Sequence, residues 1–425
     1  MSPLKDVRKA ALGAALLASA NLFAGCAVPS RESKNVTTSV VAPPTSAPKD
    51  NLIRMPETLV VAGPPEERAL ADLDETQLFD CGVRAFDKAE WPRAAACFGR
   101  LVDAFPSSDR YGPALFNNGL ALERLKRWDD ALARWETALE RLQRIGAQQN
   151  QHLKTEFAHA TGPSSDELDV TFHAAYAEHE LGRLDAAAAR LKGVADRAGV
   201  PDSRRGEALV QEAVCLVEKV DLLRKNGETD PAKLEGRGAG EHLLREALDL
   251  YAKAGTDGEA DPALLAQAEF WIGEIYRSYF DEIRLDPGRD NEQALLDTLE
   301  SKAQFLLSAQ GHYLRAIRHG DGEWATASGY RVGELYESLH DSMVNAPVPL
   351  TLKTAELQAA YREELKKKVR VLLDKAMRIY AQTLQTAQRV NATSDYVRKT
   401  NEALERMKAL LVEQPPPGKP APRTN

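Results

Sequence analysis

One spacing recurs three times in this chain and restricts its fold more than any other feature. A small residue is followed twelve positions later by alanine, and four positions after that by a large apolar side chain. The sets are Gly82, Ala94 and Phe98; Gly119, Ala131 and Trp135; Ala175, Ala187 and Leu191. The stretch around the second set, LFNNGLALERLKRWDDALARWETAL (Leu115 to Leu139), reads as helical. A glycine inside such a helix costs about 1 kcal/mol relative to alanine, so its placement calls for a compensating contact. Two crossing helices supply one, because a small residue on each lets the axes approach to the ~8–10 Å of close packing. Gly82, Gly119 and Ala175 are the expected crossing sites on first helices, and Ala94, Ala131 and Ala187 those on second helices. Phe98, Trp135 and Leu191 are then expected to fill the wedge between neighbouring hairpins. Pro106 ends the first unit where the chain must turn.

This pattern resembles the tetratricopeptide repeat, a helix–turn–helix unit of about 34 residues. The resemblance implies an all-α, superhelical array of antiparallel helix hairpins. Composition agrees: 43% of the 425 residues are hydrophobic but only 6% are aromatic, which suits packed helices better than a sheet. The register is uneven. Gly82 and Gly119 are 37 residues apart, and Gly119 and Ala175 are 56 apart. The excess, between Gln143 and Asp169, reads as a lengthened helix plus a loop. In the second half, AEFWIGEIYRSYFDEI (Ala268 to Ile283) parallels ASGYRVGELYESLHDSM (Ala327 to Met343), and each precedes a long helix. Hairpins therefore lengthen there. Ser203 to Lys225 and Ala239 to Ala254 form a further pair, and Ser394 to Val412 a capping helix. The expected organisation is a signal peptide (1–25), a disordered tether (26–66), a tetratricopeptide-like array (67–200), degenerate lengthened hairpins with a cap (201–412) and a disordered tail (413–425).

Lys5, Arg8 and Lys9 precede an apolar stretch from Ala10 to Ala20, the layout of a secretory signal. The stretch ends in LFAGC, which resembles the lipobox of bacterial lipoproteins and implies lipidation of Cys26, with Phe23 where leucine is usual. Cleavage after the ASA at Ala18–Ala20 would instead release a soluble protein. Ala27, which is not aspartate, implies by the same resemblance the periplasmic face of the outer membrane; the alternatives are the inner membrane or the soluble periplasm. The segment VAPPTSAPKD (Val41 to Asp50) cannot bury a core and reads as tether. A formal charge of -8 offers no basic excess for nucleic acid.

Catalytic patterns are absent from the sequence: there is no HExxH, no phosphate-binding glycine loop and no GxSxG. The eight histidines are scattered, and the EHE at Glu178 to Glu180 reads as solvent-exposed helix rather than a metal site. Gly236, Gly238 and Gly240 read as a loop with no strand before it. No catalytic residue, metal, cofactor or small-molecule substrate is expected. Cys81 and Cys97 fall on the two helices of the first hairpin, either as a disulfide in an oxidising compartment or as two small buried residues; Cys215 reads as core. Phe79, Phe116 and Phe172 lie three residues before the crossing residue, and Val83, Leu120 and Tyr176 one after it. By resemblance these positions face a concave groove that can hold a partner protein; alternatively they pack against the next repeat or the tether.

The function expected is a lipid-anchored periplasmic scaffold of a cell-envelope complex. The lengthened hairpin GELYESLHDSMVNAPVP resembles repeat lipoproteins of myxobacteria, some of which serve adventurous gliding motility. The first repeat also resembles the lipoprotein that assists outer-membrane protein assembly, which supplies the alternative. A cell-wall enzyme ranks last, because the repeats occupy nearly all of the chain between tether and tail.

Overall fold

The computed structural model describes residues 70–153, 165–254, 261–285, 292–349 and 351–413. The signal peptide, Cys26, the tether to Glu66 and the tail beyond Glu413 lie outside the described residues. The helices are α1 (Glu75–Asp87), α2 (Trp91–Ala104), α3 (Tyr111–Arg124), α4 (Trp128–Leu153), α5 (Ser165–Glu180), α6 (Leu184–Ala195) and α7 (Asp202–Lys225). They continue as α8 (Gly236–Ala254), α9 (Pro262–Glu282), α10 (Glu292–Arg318), α11 (Gly322–Val344), α12 (Ala355–Arg389) and α13 (Asp395–Glu413). No strand occurs among the described residues. The fold is an all-α array of helix hairpins, as expected, with longer helices in the second half. Two compact units divide within α8, between Leu243 and Leu244.

Local chemistry sets the helix ends. Asp74 caps α1: its carboxylate accepts the Gln77 backbone N–H at 2.8 Å, and the Gln77 side chain accepts the Asp74 N–H at 3.1 Å. Asp321 caps α11 by accepting the Trp324 N–H at 2.8 Å. Each of the first three hairpins turns through a residue in the left-handed region: Ala89 (φ 57°), Lys126 (φ 56°) and Gly182 (φ 71°). All three stand seven positions after the crossing residue. Only the third hairpin has glycine where that conformation favours it.

The crossings explain the spacing. A Cβ built on Gly82 would lie 2.5 Å from the Phe98 ring, and one on Gly119 would lie 2.5 Å from the Trp135 ring. The large residue therefore sits over the glycine of its own hairpin. The expected wedge between neighbours is a secondary role, which Trp135 also fills by stacking on His173 at 4.8 Å. The second unit uses the same device. Gly273 lies under Tyr313 (2.6 Å to a built Cβ), and Gly333 lies closer still under Tyr380. Phe98, Trp135, Tyr313 and Tyr380 are all fully buried, and each such side chain contributes about 1.5–3 kcal/mol by leaving water.

One expectation is corrected here. Gly236, Gly238 and Gly240 open helix α8 instead of forming a loop. Built Cβ atoms on Gly236 and Gly240 would lie 2.9 Å from Val220 and 2.8 Å from Val217. Those glycines bring α8 close against α7; they are contact residues, not turn residues.

Candidate functional site

Helices α1, α3 and α5 carry the six groove positions, and the structure treats them unequally. Phe79 is 2% exposed, set edge-on against Phe98 at 5.7 Å, with the Arg110 guanidinium 5.5 Å from its ring centre. Leu120 is buried in the same core. These two belong to the packing of the stack and present no groove surface. Val83 is half-buried against that core. Phe116 is half-buried and edge-on to Trp135 at 5.2 Å and to His173 at 5.8 Å. Phe172 is half-buried beneath the Arg204 guanidinium at 4.4 Å. Tyr176 is 48% exposed, with Trp128 edge-on at 5.4 Å. Phe172 and Tyr176 are four apart, hence on one face of α5. Of the six predicted positions only Tyr176 is exposed, and Trp128, which lies outside that set, forms a small aromatic patch with it.

Behind it lies a polar junction that the sequence reading did not single out. Glu123 on α3 accepts the Trp135 indole N–H at 2.9 Å, and its carboxylate meets His173 Nδ1 at 3.0 Å. One carboxylate thus ties α3, α4 and α5 together, and the Trp135–His173 stack closes the joint.

The EHE segment is also different from its sequence reading. Glu178 is buried and holds Arg190 by two hydrogen bonds of 2.7 and 2.9 Å, while Arg190 also reaches Glu136 on α4. His179 Nε2 lies 2.6 Å from Glu218 on α7. Adjacent residues point around the helix, so Glu178 ties α5 to α6 within its own hairpin while His179 links α5 to α7. The hydrogen bond to Glu218 raises the pKa of His179 above its usual value near 6.5. The folded state therefore binds the proton more tightly than the unfolded chain. That stabilisation is complete below about pH 6.5 and is lost as pH rises through the folded pKa. The melting temperature should fall modestly as pH rises above about 6.5. His179→Gln should flatten that slope in thermal melts followed by circular dichroism.

Cys81 and Cys97 are joined as a disulfide, with Cα atoms 6.0 Å apart, inside the range that a bridge requires. Cys215 is free and buried, and burial pushes its thiol up to about 12, leaving it inert.

The second unit has its own buried charge cluster. The Glu274 carboxylate accepts the Tyr313 hydroxyl at 2.5 Å and pairs with Arg277 at 2.9 Å and Arg331 at 2.9 Å. Arg277 continues to Asp281 at 2.8 Å, and Arg331 to Glu334 at 2.7 Å. Tyr330 donates to Glu334 at 3.1 Å. Burial opposes the charge on Glu274; the two guanidiniums outweigh it and hold the carboxyl below its usual range. Every charge here has an opposite neighbour, so the cluster locks α9 to α10 and α11 and leaves no charge seeking a ligand. Among the described residues no group of three metal-binding side chains converges.

No family model and no curated protein matches this sequence. Among solved structures, a tetratricopeptide repeat protein from Parabacteroides merdae is similar over 79% of this chain and 98% of its own, at 12% identity and a TM-score of 0.33.

Proposed function

We propose that this chain is a scaffold that binds proteins of the bacterial cell envelope, held at the membrane by lipid on Cys26. The observation that carries the binding role is Tyr176. It stays 48% exposed beside Trp128, while Leu120, at the same place in the preceding hairpin, is buried. A large aromatic side chain left accessible on a rigid helix, with arginine and carboxylate groups around it, matches the make-up of protein-binding hot spots. The Arg183–Asp129 pair at 2.7 Å, exposed at the start of α4 and α6, supplies part of that rim. The Cys81–Cys97 bond supports export, since such bonds persist in oxidising compartments. The envelope setting and the gliding-motility complex rest on the sequence resemblances alone.

Tyr176→Ala tests the binding role. Crosslinking in cells followed by affinity capture should recover partner proteins with the wild type and lose them by tenfold or more with the variant. Stability should change by no more than about 1.5 kcal/mol, the scale of one partly exposed aromatic pair. Equal recovery by both proteins would remove the α5 patch as the binding site. Intact-mass measurement of the mature protein tests the anchor: an N-terminus at Cys26 without acyl chains would exclude it.

A further inference from the structure

We infer that the Cys81–Cys97 disulfide is an end staple of the hairpin stack, which makes the order of the first hairpin, and of no other, depend on redox conditions. The argument comes from aligning the hairpins on their crossing residues. The position fifteen after that residue holds Cys97, Arg134 and Arg190 in turn. Arg134 reaches back to Asp103 on α2 at 3.1 Å, and Arg190 reaches back to Glu136 on α4. The position just before the crossing residue holds Cys81, Asn118 and Ala174. Asn118 also reaches back, donating to the Ala95 carbonyl on α2 at 2.8 Å. In the first hairpin both backward-facing positions are cysteines, and they bond to each other.

The rest of that face agrees. Positions five before and two after the crossing residue are Ala114 and Ala121 in the second hairpin, and Val170 and Ala177 in the third. All four are buried. In the first hairpin they are Gln77, half-buried, and Arg84, exposed. Polar residues thus replace packing residues, as the end of an open stack requires. Among the described residues, only the short turn Leu70–Asp72 precedes α1, and it lies against α2. The bond spans 16 residues and ties α1 to α2 where contacts with a preceding hairpin would otherwise do so. The ion pairs between later hairpins are indifferent to reductants.

Reduction by a dithiol balances simply. The dithiol is oxidised to its cyclic disulfide, its two electrons break the Cys81–Cys97 bond, and its two protons leave two thiols. The consequence is local: α1 and α2 loosen and uncover Ala114, Asn118 and Ala121 on α3. This does not depend on the α5 patch being a binding site.

The test is hydrogen exchange with mass spectrometry on the full chain, oxidised and then reduced with dithiothreitol. Amides of α1 and α2 should exchange faster on the order of a hundredfold after reduction, the scale set by freeing a short loop. Amides of α5, α6 and the second unit should not change. Adding oxidised glutathione should restore protection. Cys81→Ser with Cys97→Ser should reproduce the reduced pattern; if that variant fails to fold, titrating the wild type with dithiothreitol gives the same readout. Unchanged exchange at α1 and α2 would overturn the inference. So would a loss spread equally over α1 to α6, a failure to recover on reoxidation, or mapped peptides showing free Cys81 and Cys97 in protein from an oxidising compartment.

Discussion

Replacing Glu274 with glutamine will destabilise the second unit by about 3–5 kcal/mol, the usual result of removing one member of a buried ionic group. Glutamine keeps the shape and still accepts the Tyr313 hydroxyl, so the loss isolates charge. Arg277 and Arg331, which now share one carboxylate, would face each other without it. Their remaining partners, Asp281 and Glu334, are more exposed and screen them less. Changing all three to methionine should cost less than the single substitution, because it removes the desolvated charges along with their partner. The pH dependence gives a second reading. The Glu274 pKa is lower folded than its ordinary 4.5, so the stabilisation is present above about pH 4.5 and disappears as pH falls through the folded value. Wild-type stability should drop in that acid range, and Glu274→Gln should lack this share of the drop. Hydrogen exchange at α9 and α11, measured at neutral and acid pH, resolves the second unit from the first. A loss below about 1 kcal/mol for Glu274→Gln would mean the cluster is hydrated and structurally idle.

How much of this was legible in the sequence depended on distance along the chain. The crossings at Gly82 and Gly119 were readable because short hairpins put each partner ring sixteen residues away, at a fixed interval. In the second unit the same contacts join Gly273 to Tyr313 and Gly333 to Tyr380, forty and forty-seven residues apart. Long helices and unequal connections erase the interval, so the sequence marks the glycines but not their partner rings. The unequal exposure of the groove positions has a different origin. Helical phase correctly placed Phe79, Phe116 and Phe172 on equivalent faces, but exposure depends on what the next hairpin brings. Arg110 of the next hairpin lies over Phe79, whereas Tyr176 has an aromatic contact with Trp128 of the preceding hairpin and stays 48% exposed. The Glu123 junction and the Glu274 cluster gave no local signal. Their members lie on different helices, and a charged residue in a helix reads as solvated until its neighbours are known. The glycines at 236 and 240 are ambiguous in sequence, because glycine marks both turns and close approaches, and only the position of α7 separates the two.

The crossing itself yields the other large effect. Trp135→Ala should cost about 3–5 kcal/mol, since it empties a fully buried indole site and takes from Glu123 its indole donor. Gly119→Ala should also destabilise, although alanine is the better helix former by about 1 kcal/mol. The added methyl would sit 2.5 Å from the indole ring, and forcing a well-packed site apart costs about 1–3 kcal/mol. The third hairpin already contains the reciprocal solution. There alanine stands at 175 and leucine at 191, and both are buried. Gly119→Ala combined with Trp135→Leu copies that pairing and should be less destabilising than the two single effects added together. The coupling should be about 1 kcal/mol or more, as for residues in direct contact. Urea denaturation of the four proteins measures it. Strict additivity would mean that glycine is present at 119 for some reason other than the ring above it, and the physical account of the repeat spacing would fail with it.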